Sequence, residues 1–230
     1  MNDPYILENG TLKNLLGITD YNELKKAETD IGYIKLISAS DELFEKCDEN
    51  LLKSIHKYIF QDIFEWAGEY RTVPIEKEEV VIPMLSLQYS MPNEIPSKLK
   101  QHINEINSYD WKKMNINEIS KNFTNCLAKI WRVHPFRDGN TRTTLTFASI
   151  FAKQNGFEMD MGTILNELSR VVDEETGKIQ RYSVRDKFVL AALDPQDIPE
   201  PEHLQFIIKA AIKNGIDKKI DQLSSLKERD

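Results

Sequence analysis

Apolar residues recur at three- and four-residue steps along most of the chain, the spacing of one buried helix face. Between Asp41 and Trp66 the series Leu43, Phe44, Cys47, Leu51, Leu52, Ile55, Ile59, Phe60, Ile63 and Phe64 predicts one amphipathic helix, or two with a break near Asn50. Gly68 supplies the stop. Leu99, Ile103 and Ile106 predict a helix over Ser97–Tyr109, and Ile116, Ile119, Phe123, Leu127 and Ile130 another over Asn115–Trp131. Leu145, Ala148, Phe151 and Ala152 mark a helix from Thr143 to Gln154, closed by Asn155-Gly156. Ser183–Leu193 and Pro201–Gly215 carry the same pattern, and Ile216–Lys227 a weaker form of it.

One segment breaks the helical rule. "RTVPIEKEEVVIPM", Arg71 to Met84, mixes β-branched residues with two prolines and reads as a short hairpin or extended flap, since proline bars a central strand. Its charged tip, Glu76 to Glu79, is a solvated turn or a contact for a partner, with Lys77 the residue to test. The proline-rich stretch Asp194–His203 is a connector, and the tail beyond it is too short for a core of its own. The expected architecture is all-α: a helical bundle around a helix-loop-helix core with a short β-hairpin flap. Residues 1–193 form the domain, with N-terminal helices, and 194–230 are a helical C-terminal extension of it.

Composition narrows the class. The chain has 230 residues, of which 40% are hydrophobic, enough for a sizeable core. A formal net charge of −7 argues against bulk nucleic-acid binding but leaves room for a nucleotide, which needs only a local cluster. Cys47 and Cys126 are too few for a disulfide framework and lack C-x-x-C spacing, so a reducing cytoplasm is expected. The first ten residues show no basic-then-apolar leader pattern, and no apolar run approaches the roughly 18 residues of a membrane span. No His/Cys/Asp cluster has zinc-ligand spacing.

The candidate chemistry lies in "RVHPFRDGNTRTTL", Arg132 to Leu145. His134 continues the apolar face of the preceding helix by one turn, so it is expected at the mouth of the core where Pro135 ends the helix. Phe136 plugs the core. Asp138, Gly139 and Asn140 make a tight turn, and a new helix starts near Thr141. Backbone N–H groups at such a turn form an anion nest at the positive end of the helix dipole. Arg142 adds a charge suited to phosphate oxygens. Neutral His134 can accept a proton from a hydroxyl near neutral pH. Asp138 can hold a hard cation such as Mg²⁺ together with phosphate oxygens. Read alone, the residues leave two accounts open: phosphoryl or nucleotidyl transfer, or a plain helix end followed by a turn.

The stretch from His134 to Arg142 resembles the motif of the Fic family, His-Pro-Phe-x-Asp/Glu-Gly-Asn-Gly/Lys-Arg-x-x-Arg. "IHKYIFQDIFEWAGEYRTV", Ile55 to Val73, and "DPYILENGTLKNLLGI", Asp3 to Ile18, resemble family segments upstream, so the resemblance runs from Asp3 to about Gly156. It implies a protein adenylyltransferase that moves AMP from ATP, with Mg²⁺, to a hydroxyl side chain of a target protein or of itself. By position, His134 would be the general base and Asp138 the Mg²⁺ ligand. Gly139, Asn140 and Thr141 with the backbone beside them would form the anion hole, and Arg142 would contact the phosphates. Arg71, Val73, Ile75 and Lys77 would belong to the flap that registers the target. Attack at the γ-phosphate instead would give phosphorylation, as in the Doc relatives, and a Fic-like protein-binding module is the reading from another class.

Two positions depart from the motif. Thr141 replaces Gly or Lys, and can cap the following helix. Leu145 replaces the second Arg, which in the family faces the γ-phosphate and pairs with an inhibitory glutamate. The inhibitory pattern Ser/Thr-x-x-x-Glu-Gly/Asn is incomplete at Thr19/Glu23, Ser38/Glu42 and Ser224/Glu228. Control would then come from a separate small antitoxin-like protein, or be absent in this form. His56 is expected to pack and hydrogen-bond.

Overall fold

The computed structural model describes residues 3–38, 47–77, 79–82, 85 and 87–227. Regular structure among them is helical apart from one small sheet. The helices are α1 (Tyr21–Ser38), α2 (Glu49–Phe60), α3 (Ile95–Asn107), α4 (Ile116–Val133), α5 (Asn140–Gln154), α6 (Met161–Leu165), α7 (Val184–Ala191) and α8 (Glu202–Lys227). Strands β1 (Val171–Val172) and β2 (Ile179–Arg181) pair antiparallel, with Val171 opposite Arg181 and Val172 opposite Ile179.

Local chemistry sets the helix starts. Asp48 accepts from the N–H groups of Asn50 at 2.9 Å and Leu51 at 3.1 Å, opening α2. Asn115 accepts from Asn117 and Glu118, while the Glu118 carboxylate reaches back to the Asn115 N–H at 2.9 Å, a capping box for α4. Ser183 and Asp186 make the same exchange at α7.

The chain forms two compact units, and passes between them within α3, α4 and α5. The first comprises residues 1–75, 89–103 and 133–150. In it α1 packs on α2, and Leu52, Ile55, Ile59 and Phe60 are buried with Ile95, Leu99, Phe136 and Phe147. Each such side chain contributes about 1.5–3 kcal/mol by leaving water.

The second unit comprises residues 76–88, 104–132 and 151–230. Trp111 meets Phe123 and Phe151 edge-on, and its indole N–H donates to the Ile106 carbonyl at 2.9 Å. Trp131 stacks on Phe188. The buried Glu79 carboxylate takes both ends of the Arg185 fork at 2.6 Å, a bidentate pair.

An N-terminal helix is expected and α1 supplies it, though it is polar and carries little apolar contrast. Three other expectations change. No strand occurs in the described part of Arg71–Met84: the Arg71 N–H goes to the Pro135 carbonyl at 2.9 Å, the Arg71 side chain takes the Val73 carbonyl, and Pro74 has no N–H, so a ladder lacks its groups. Residues 78, 83 and 84 of that segment lie outside the described residues, as does 41–46 of the expected first helix. The sheet forms instead around Asp173, which accepts from the N–H groups of Glu175 and Thr176 to close the turn between β1 and β2. The two expected C-terminal helices are one, α8. It runs through Gly215, whose missing side chain makes room for the backbone of residues 158–160: a Cβ there would lie 2.7 Å from the Glu158 carbonyl oxygen.

No helix among the described residues is long and apolar enough to cross a membrane. Burial pushes both cysteine thiols up to about 12, which keeps them protonated and unreactive at neutral pH.

Candidate active site

Helix α4 ends at Val133, and His134 leaves it with φ of +51°, a left-handed conformation uncommon outside glycine. Pro135 prevents the helix from resuming. The turn that follows is tied by Asn140, whose side-chain oxygen accepts from the Phe136 N–H at 3.0 Å and whose amide donates to the Phe136 carbonyl at 2.9 Å. Asp138 accepts from the Gly139 N–H at 2.7 Å, and Gly139 turns with φ of +75°. The Gly139 carbonyl takes the Thr143 N–H and hydroxyl, both at 3.0 Å, which starts α5. The first N–H groups of α5 have no acceptor within the helix and sit at the positive end of its dipole, a place for an anion.

His56 on α2 supports this turn from below. Its Nδ1 accepts the Gly68 N–H at 2.8 Å, so Nε2 carries the proton and donates to the Asp138 carbonyl at 3.1 Å. Its ring stacks on Phe136 at 3.9 Å. Burial lowers its pKa to about 3, outweighing the hydrogen bond to Asp138, so it is neutral at physiological pH.

His134 is where the sequence expects it along the chain but not in exposure. It is 1% exposed, because the Tyr89 ring covers the imidazole at 4.0 Å between centroids. Arg71 is also displaced from expectation. It is 2% exposed, and its guanidinium donates to the carbonyls of His134 at 2.8 Å, Val73 at 2.8 Å and Ser90. A side chain so enclosed cannot touch a target. Val73 and Ile75 follow it half-buried, and Lys77, also half-buried, lies in the second unit.

Arg142 reaches α1. One nitrogen donates to the Glu28 carbonyl at 2.9 Å and another to the Glu28 carboxylate, with the guanidinium over the Phe60 ring at 4.6 Å. Gly32 leaves the room this needs, since a Cβ there would lie 2.7 Å from Arg142 Nη1. Burial raises the pKa of Glu28, and the nearby Asp138 carboxylate raises it further, against the pull of Arg142. Leu145, at 0% exposure, is core. Thr141 falls inside the first turn of α5 rather than before it, so it is not the cap.

Asn140 spends its amide on the loop, which leaves backbone N–H groups to face a phosphate. Glu28, Tyr89 and Ser90 are the members the sequence did not bring to the site, while His56 packs and hydrogen-bonds as expected. Glu28 and Tyr89 gave no local signal, being far from the loop along the chain.

Among the described residues no three His, Cys, Asp or Glu groups stand together as a metal cage. A single carboxylate on Asp138 beside an anion nest suits Mg²⁺, which takes few protein ligands and shares nucleotide phosphates.

Helices that present such a loop define a class, and the comparisons name it: a model of the Fic/DOC family matches residues 46–152. Residues 46–152 are thus similar to the Fic/DOC family. Protein adenylyltransferase VbhT of Bartonella schoenbuchensis is 32% identical over 163 residues, covering 69% of this chain and 32% of that protein. A probable protein adenylyltransferase, y4lH of Sinorhizobium fredii, is 28% identical over 153 residues, covering 65% of this chain and 74% of its own. The chain therefore spans about a third of the first relative. The N-terminal FIC domain of Bep8 from Bartonella sp. 1-1C superposes with a TM-score of 0.68 at 20% identity, covering 90% of this chain and 94% of that one. BepC of Bartonella tribocorum, solved with bound AMPPNP, gives 0.66 at 18% identity, covering 90% and 95%. At these identities the structures establish the fold.

Proposed function

We propose that this domain is a protein adenylyltransferase that transfers AMP from ATP to a hydroxyl side chain of a target protein or of itself. The carrying observation is the loop itself: a left-handed His134 at the end of α4, then a Gly139 turn that opens α5 within the first unit. The relatives named protein adenylyltransferase and the AMPPNP held by the BepC structure support the nucleotide and the transfer.

The α-phosphate lies against the α5 N-terminus, where N–H groups of Asn140, Thr141 and Arg142 offset its charge. Asp138 would hold Mg²⁺, which would supply charge neutralisation to the phosphates. The imidazole of His134 takes the proton from the target hydroxyl as its oxygen bonds to the α-phosphorus. The bond to the β-phosphate breaks and pyrophosphate leaves. Tyr89 must swing off the imidazole for a hydroxyl to arrive. Val73 and Ile75 align the target as an added extended segment, with Arg71 fixing their root. With Leu145 in the core, regulation by a Glu–Arg pair at that position has no Arg, and a separate antitoxin-like inhibitor would act elsewhere on the domain. The setting proposed is the cytoplasm.

Incubation with ATP labelled at the α- or the γ-phosphate tests this. Protein-bound label from the α-position alone is expected. Label from γ alone means phosphorylation, and none from either leaves a binding module.

A further inference from the structure

We infer that Arg71 is a positioning residue for His134, holding the base in its left-handed conformation through backbone carbonyls. The inference rests on the transfer reading for its kinetic consequence, but its structural basis stands apart from that reading.

Three observations carry it. First, His134 has φ of +51°, a left-handed conformation that is strained for a non-glycine residue and persists only when its surroundings over-determine it. Second, Arg71 grips both ends of the His134–Pro135 unit: its Nε donates to the His134 carbonyl at 2.8 Å and its backbone N–H to the Pro135 carbonyl at 2.9 Å. Third, the same guanidinium donates to the carbonyl of Ser90, whose neighbour Tyr89 packs on the His134 ring. One side chain therefore fixes the backbone under the imidazole and the backbone next to Tyr89. The guanidinium donates to three backbone carbonyls, those of His134, Val73 and Ser90. A planar fork with five fixed donors can span carbonyls of residues 73, 90 and 134 together, and a lysine ammonium cannot match that geometry.

The test compares Arg71→Lys and Arg71→Met with wild type. Histidine-selective ¹⁵N NMR reads the His134 ring, which His134→Asn assigns among the four histidines. Steady-state transfer and ATP titration are read on the same samples. In Arg71→Lys the His134 resonances are expected to shift or broaden while those of His102 and His203 stay. The kcat should fall roughly a hundredfold, the scale of a misplacement near 1 Å, with ATP affinity within about twofold of wild type. Arg71→Met, which strands buried carbonyls, is expected to be less stable, so Arg71→Lys is the deciding variant. Unchanged His134 resonances in a folded Arg71→Lys protein overturn the inference. So does a kcat loss matched by an equal loss of ATP affinity. If wild type transfers no AMP, the transfer reading fails while the NMR comparison still decides the role of Arg71.

Discussion

Replacing Gly139 with alanine should damage the site more than any other single methyl. Two costs add. The residue sits at φ of +75°, where an alanine costs about 1–2 kcal/mol. Its new Cβ would also fall within the ring of Phe60, against Cε2 and Cζ. Phe60 cannot retreat: it is 0% exposed, with His56 at 4.7 Å and Phe64 at 6.2 Å between ring centroids and Arg142 over its face. Overpacking of this kind costs about 1–3 kcal/mol, so the sum is about 2–5 kcal/mol against a typical total of about 5–15. Gly10→Ala is the control. It has φ of +86° with nothing within 4 Å of a Cβ, so it carries the conformational cost alone. Urea unfolding of both variants measures the difference, and ATP titration reports whether the Asp138–Asn140 turn survives. Gly139→Ala should lie at least about 1 kcal/mol below Gly10→Ala in stability and lose most nucleotide binding. Equal stabilities, or Gly139→Ala binding ATP as wild type does, would refute the packing argument.

Three further outcomes follow from the buried groups. His56 has a folded pKa near 3 against 6.5 unfolded, so stability should be full above pH 6.5 and fall as pH drops toward 3; His56→Gln, which can keep both hydrogen bonds, should flatten that fall in acid titrations followed by circular dichroism. Glu28 is raised above the unfolded 4.5, so the stability it contributes is present below that pH and is lost as pH rises through its folded value; Glu28→Gln should remove this slope, measured by melting temperature against pH. Leu145→Arg should not create a γ-phosphate clamp but should destabilise by about 3–5 kcal/mol, because it buries an unpaired charge. Wild type should accordingly bind ATP and ADP within about tenfold of each other by calorimetry, since a charge-assisted hydrogen bond at 145, about 1.5–3 kcal/mol, is forgone.

Helices α2 to α5 and the turn at Asp138–Asn140 are legible in the sequence because each depends on spacing and residues close in the chain. The end of α4 just before His134 was readable from Pro135 alone. The burial of His134 was not, since Tyr89 comes from a segment far upstream. Arg71 reads as a surface charge on a flap, and only the convergence of three carbonyls from different segments makes it an interior residue. Helix α1 escaped the apolar pattern because its tie to the site is polar, through Glu28 and Arg142. The hairpin was expected where β-branched residues cluster, yet it forms at residues 171–181, where Asp173 closes a turn.

The central claim is that His134 is the base for transfer to a hydroxyl. His134→Asn tests it most directly, because asparagine tolerates the left-handed backbone and leaves the loop in place. With α-labelled ATP and Mg²⁺, the account predicts a folded variant that binds ATP like wild type and leaves protein label at least a hundredfold lower, roughly the loss of a general base. A folded His134→Asn protein that acquires label at the wild-type rate would contradict it.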